Sequence, residues 1–129
     1  MASKLTLGGA QGAADKKKLN HEWVVIANEG DALFNAEGCA ITVGPKGKSR
    51  PRAVTTISAG LVLQPGERVR LVSGSPGKRS QGAPPAEEEG LRNFHLFLKA
   101  RYLDRTNVVV RLVNRQQVEL CSTVFEGRV

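Results

Sequence analysis

A chain of 129 residues, 40% of them hydrophobic, carries material for one core and not for two. Nineteen Lys and Arg against twelve Asp and Glu give a formal net charge of +7, which favours nucleic acid, an anionic membrane surface or an acidic protein as partner without choosing among them. No apolar run approaches the roughly 20 residues that span a bilayer, no secretory apolar region is visible before Leu19, and two cysteines are too few for a disulfide framework.

Residues 1–19 are rich in Gly, Ala and Lys, include Lys16-Lys17-Lys18, and predict a flexible basic arm ahead of one domain over residues 20–129. The first clear element is Glu22-Trp23-Val24-Val25-Ile26-Ala27-Asn28, whose consecutive Trp, Val, Val and Ile fit a mostly buried strand. His21 and Glu22 are neighbours and so point to opposite faces of it. Asn28-Glu29-Gly30-Asp31 is turn chemistry. Ala32-Leu33-Phe34-Asn35 follows, and then Gly38-Cys39-Ala40-Ile41-Thr42-Val43, with Cys39, Ile41 and Val43 on one strand face.

Residues 44–52 predict a loop holding Lys46, Lys48, Arg50 and Arg52 among prolines and glycines. Ala53-Val54-Thr55-Thr56-Ile57 is β-branched. Leu61-Val62-Leu63 runs into a Pro-Gly turn at Gln64-Pro65-Gly66-Glu67. Residues 68–72 then alternate, with Val69 and Leu71 on one face and Arg68 and Arg70 on a polar outer face. Residues 73–90 lack apolar periodicity and predict a long mobile loop or an insertion between strands, in which Glu87-Glu88-Glu89 partly cancels Lys78 and Arg79. Phe94, Leu96, Leu98 and Ala100 share a face of the next strand-like run. Residues 108–113 and 118–125 read as strands joined by a hairpin turn at Asn114-Arg115-Gln116-Gln117, although it lacks Gly. No 3.6-residue apolar stripe persists, and short strands separated by turn signals predict a sandwich or barrel.

Four of these pieces, in this order, resemble the lamin tail domain family. Residues 22–31 are similar to its opening Glu-aromatic-Val-x-Ile-x-Asn-x-Gly strand and turn, and residues 36–42 to its next strand. Residues 61–72 resemble its leucine, Pro-Gly and alternating-strand segment, and residues 108–125 its closing hairpin. The resemblance covers about residues 20–126. It implies an all-β, immunoglobulin-like β-sandwich of roughly seven to nine short strands. Cys39 stands where the family has a Trp, and Arg105-Thr106-Asn107 replaces a Trp-Asn-Asn segment. Animal members carry a filament rod; this chain has no heptad segment with which to build one.

The search for chemistry leaves binding rather than catalysis. Catalysis needs a nucleophile beside a base, paired carboxylates or metal ligands. His21 and His95 lie apart, the acidic triplet is a loop run, and Gly74-Ser75-Pro76-Gly77 lacks the ending of a phosphate loop. The expectation is a non-enzymatic interaction module without cofactor or metal, docking a protein partner or assembly through sheet edges and loops. The alternative is an accessory nucleic-acid-binding domain. Its candidate phosphate contacts are Lys46, Lys48, Arg50 and Arg52 on the loop and Arg68, Arg70, Arg101 and Arg111 on outward strand faces, aligned as a stripe. Tyr102 is the stacking candidate beside that stripe. Cys39 and Cys121 read as small buried hydrophobes, with a single bridge between them left open for an exported domain.

Overall fold

The computed structural model describes residues 4–13, 15, 17–45, 51–58, 60–103 and 107–126. Ten strands follow one another: β1 Leu5–Gln11, β2 Trp23–Asn28, β3 Phe34–Asn35, β4 Ala40–Pro45, β5 Arg52–Thr56, β6 Val62–Leu63, β7 Arg68–Val72, β8 Leu91–His95, β9 Val108–Val113 and β10 Glu119–Phe125. One sheet has the order β1-β2-β7-β8, a second β10-β9-β4-β5, and β3 and β6 form a short ribbon. The fold is an all-β sandwich. Among the described residues it has ten strands rather than seven to nine, because two of them, β3 and β6, are two-residue pieces and β1 lies in the segment read as an arm.

Strand alternation explains the layers. In β2 the side chains of Val24, Ile26 and Asn28 are buried while Trp23, Val25 and Ala27 are half-buried. Val24 and Ile26 join Val69 and Leu71 of β7 in one core with Ile41 and Val43 of β4 and Val110 and Leu112 of β9. Full burial of each such Val, Ile or Leu contributes about 1.5–3 kcal/mol, and Tyr102 and Phe125 are buried in the same core.

The arm is a strand over residues 5–11. Leu5 to Gly8 pair with Asn28 to Val25, and the register shifts before Gln11 pairs with Trp23. Gly9 sits at that shift with φ +56, where an added Cβ would lie 3.0 Å from Val25 Cγ2. The Gly-rich composition that reads as linker is bulge chemistry on an edge strand, and Leu5, Leu7 and Ala10 pack against the core. β1 also lies along β10, joining the two sheets at one side.

The 73–90 segment is an insertion between strands and not a free loop. β7 and β8 are parallel, and a parallel pair needs a crossover of a dozen or more residues. That crossover carries a 3-10 turn, Arg79–Gln81, and its residues 85–88 fold back on β8. Asn93 Nδ2 donates to Pro85 O at 2.7 Å, and Asn93 N donates to Glu87 Oε2 at 2.8 Å.

The turns form as the sequence predicts. Asn28 Oδ1 accepts from Gly30 N, and Glu67 N donates to Gln64 O with Gly66 at φ +83. In the closing hairpin Asn114 Oδ1 accepts from both Gln116 N and Val118 N. Gln117 takes φ 66 there, supplying without glycine the left-handed residue the turn requires.

Candidate polyanion-binding cleft

Two buried polar residues build one end of the first sheet. Asn20 and Glu22, both fully buried, flank His21 where a 3-10 turn, Leu19–His21, leads into β2. Asn20 Nδ2 donates to Ser75 O at 2.9 Å and to Gly82 O at 2.8 Å, gripping the crossover on both sides of its Arg79–Gln81 turn. Gly74 must be glycine here, since a Cβ would fall 2.5 Å from Asn20 Oδ1 and 2.8 Å from Asn20 N. The Glu22 carboxylate accepts from Ser73 Oγ at 2.6 Å, from Leu103 N at 3.0 Å and from Tyr102 N at 3.2 Å. Residues 17–22, 73–82 and 96–103 are thereby fixed against one another.

Cations gather on that frame. Lys17, Lys99 and Arg101 line a concavity of about 550 Å³ together with Ser80 and Gln81. Lys78 and Lys99 line a second, of about 810 Å³. Gln81 and Lys99 line both, so the two adjoin, and together they make up a trough. A smaller hollow of about 310 Å³ continues it past Lys78 to Arg79. Among the described residues no carboxylate lines any of the three, and no ion pair involves Lys17, Lys78, Arg79, Lys99 or Arg101. Arg101 Nη1 donates to Ala13 O at 2.8 Å, which holds its guanidinium in place. The nearest acid in sequence, Asp15, accepts the backbone N–H of Lys17.

Phe97 stands at the rim of the trough, 64% exposed. Leu96 N donates to Val72 O and Leu98 N to Ser73 O. Two residues on one side thus span one on the other, so Phe97 is the extra residue of a bulge that turns its ring outward. Its φ is 55. The His95 ring lies 6.3 Å away at 52° and is itself anchored by Nδ1 at 3.0 Å from Gly74 O.

Among the described residues, the candidates read from the sequence do not gather on one stripe. Lys46, Lys48 and Arg50 lie outside the described residues. Arg52 is exposed at the start of β5, and Arg68 is exposed at the start of β7, at the other end of that strand from the trough. Arg111 is held by Glu119 at 2.9 Å. Arg70 does leave the core face, but it is buried under the crossover. It donates to Ala86 O, to Asn93 Oδ1 and to Glu88 Oε2, and lies 5.6 Å over the Trp23 ring. Of the five that are described, Arg101 alone lines the trough. The acidic triplet does not neutralise Lys78 and Arg79, because Glu87 and Glu88 are drawn to Asn93 and Arg70.

Tyr102 is not a stacking platform. It is 2% exposed, and burial together with the neighbouring Glu22 carboxylate pushes its hydroxyl pKa well up. Phe97 is the exposed ring that sequence reading passed over. Its signal was the alternation itself, since Phe94, Leu96 and Leu98 on one face leave residue 97 on the other.

Cys39 is buried and Cys121 half-buried, and both are free thiols. Ala40 and Cys121 pair with opposite edges of β9. Burial pushes the Cys121 thiol up to about 12, helped by Glu119 and Cys39. Among the described residues no group of three or more His, Cys, Asp or Glu is placed to hold a metal ion, and no helix is long and apolar enough to cross a membrane. Comparison with known proteins returns no matching family model and no matching curated protein.

Proposed function

We propose that this chain is a non-catalytic binding module that engages a polyanion in the trough around the Arg79–Gln81 turn. The observation that carries it is the gathering of Lys17, Lys78, Arg79, Lys99 and Arg101 along one concave surface lined by no carboxylate among the described residues. Like charges held side by side raise the local potential and attract a multivalent anion. Burial of Asn20 and Glu22 beneath them supports a preformed site, since the frame is held by hydrogen bonds to backbone and not by the cations themselves. Binding to heparin or polyphosphate should weaken steeply with salt, and Lys78→Ala with Lys99→Ala should weaken it further and flatten the salt dependence. Equal affinity in the double variant sinks the trough as the site.

The resemblance to lamin tail domains is proposed alongside it. Its support is that the four similar segments fall on β2 with its turn, on the start of β4, on β6–β7, and on the β9–β10 hairpin. A second reading, docking of a protein strand, is favoured by one observation. Among the described residues β5 is the edge strand of its sheet, and a groove of about 400 Å³ runs between Thr55, Thr56 and the β8 side chains Phe94 and His95. A photo-crosslinker at exposed Thr56 should then capture a partner protein that the same probe at Glu126 does not.

A further inference from the structure

We infer that the polyanion is single-stranded nucleic acid, with a base stacked on Phe97 and the phosphodiester backbone laid along Lys78, Lys99, Lys17 and Arg101. This rests on the trough being a polyanion site, and adds what kind of polyanion it takes.

The trough presents two chemistries side by side. One wall offers ammonium and guanidinium groups, and the rim offers a flat apolar ring that the fold exposes at a cost. A left-handed φ of 55 is unfavourable for a residue with a Cβ, and 64% exposure leaves most of the ring without burial to offset it. Strained backbone of this kind clusters at ligand sites. The bulge directs the ring outward, and His95, tied to Gly74 O, braces it. A single strand is the anionic polymer that alternates flat π-faces with phosphates, and aromatic platforms beside cations are how such strands are held without regard to sequence.

Other polyanions match less of this surface. An acidic peptide satisfies the cations and leaves Phe97 unused. An anionic bilayer wants several apolar side chains together, whereas the other large exposed apolar residues among those described, Leu33, Val118 and Val124, line none of the hollows. A duplex keeps its bases stacked on one another, with no face free for the ring.

The experiment is fluorescence anisotropy with a labelled oligothymidylate, run beside an abasic phosphodiester strand of equal length, a duplex, polyglutamate, and phosphatidylserine vesicles. The full chain should bind oligothymidylate most tightly. The logarithm of its affinity should fall with the logarithm of salt with a slope of roughly −3 for four contacts, at about 0.7 each for a single strand. Phe97→Ala should weaken oligothymidylate about tenfold, in keeping with one stacked base, and leave the abasic strand unchanged. Phe97→Tyr should restore binding, and Lys78→Ala with Lys99→Ala should weaken both strands. Phe97→Leu, which keeps apolar contact without a π-face, serves if the alanine variant melts early. Equal affinity for oligothymidylate, abasic strand and polyglutamate, with no effect at Phe97, overturns the inference and leaves a general polyanion site standing. Tighter binding to the duplex or to vesicles overturns it too. Failure to bind any of the anions overturns the polyanion site itself.

Discussion

Ser73 and Glu22 are joined twice: Ser73 Oγ donates to Glu22 Oε1 at 2.6 Å, and Ser73 N donates to Glu22 O at 3.0 Å. The link ties the residue before β2 to the residue after β7, and the same carboxylate carries the backbone of Tyr102 and Leu103. Glu22 is therefore a strut beneath the trough and not a surface charge.

Replacing that strut should be costly. Glu22→Ala leaves buried N–H donors unsatisfied, at about 1–3 kcal/mol each, and a loss of about 3–5 kcal/mol is expected from urea unfolding. Glu22→Gln retains one acceptor oxygen and should lose less, about 2 kcal/mol. An unchanged urea midpoint for both would show that the 101–103 backbone is held by something else.

Arg70 gives a second test of buried polar structure. Arg70→Met keeps the aliphatic stem over Trp23 and removes the donors to Ala86 O, Asn93 Oδ1 and Glu88 Oε2. Residues 85–88 should then exchange amide hydrogen faster, with a stability loss of about 1–3 kcal/mol. Oligonucleotide affinity should stay within twofold, because Arg70 lines none of the hollows around the Arg79–Gln81 turn. A large affinity loss would restore Arg70 as a ligand contact.

Strand phase made part of this legible beforehand. Residues 22, 24, 26 and 28 fall on one face, so the burial of Glu22 and Asn28 with Val24 and Ile26 was readable once β2 was assigned. Phase equally sent Arg70 away from the core. It says which side of a sheet a residue takes and nothing about what lies beyond, so the roof over Arg70 was hidden. The trough was hidden for a related reason. Lys17, Lys78 and Lys99 are distant in sequence, and only the crossover demanded by the parallel β7–β8 pair brings them together. Glycine-rich residues 5–11 misled because glycine at a bulge and glycine in a linker have the same composition.

The pH dependence of stability should fall away on both sides. The Arg92 guanidinium, donating to Glu67 Oε2 at 2.8 Å, holds that carboxyl below its ordinary value near 4.5. A depressed folded value stabilises above the unfolded one, so this contribution is present at neutral pH and disappears as pH falls below about 4.5. Arg92→Met should flatten the acid limb of a thermal-melting series. Cys121 has the opposite sign. Its thiol stays protonated in the fold up to about 12 against an ordinary 9.0, so stability is complete below 9.0 and is lost as pH rises from there toward 12. Cys121→Ala should remove that loss, and an alkaline limb identical in both proteins would assign it to another group.

Phe97 allows stability and binding to be pulled apart. Glycine accepts φ 55 without the Cβ penalty, roughly 1–2 kcal/mol for other residues, while losing some entropy on folding. The ring is 64% exposed, so little burial is forfeited. Phe97→Gly should therefore melt at the wild-type temperature or a few degrees above it. The same variant should bind oligothymidylate about tenfold more weakly, having lost its stacking face. A protein kept for its core alone gains from the substitution, whereas one that holds a base there loses. If Phe97→Gly instead melts well below wild type, the contact with His95 is packing that the fold needs, and the exposed ring is no longer a reason to place a base on it.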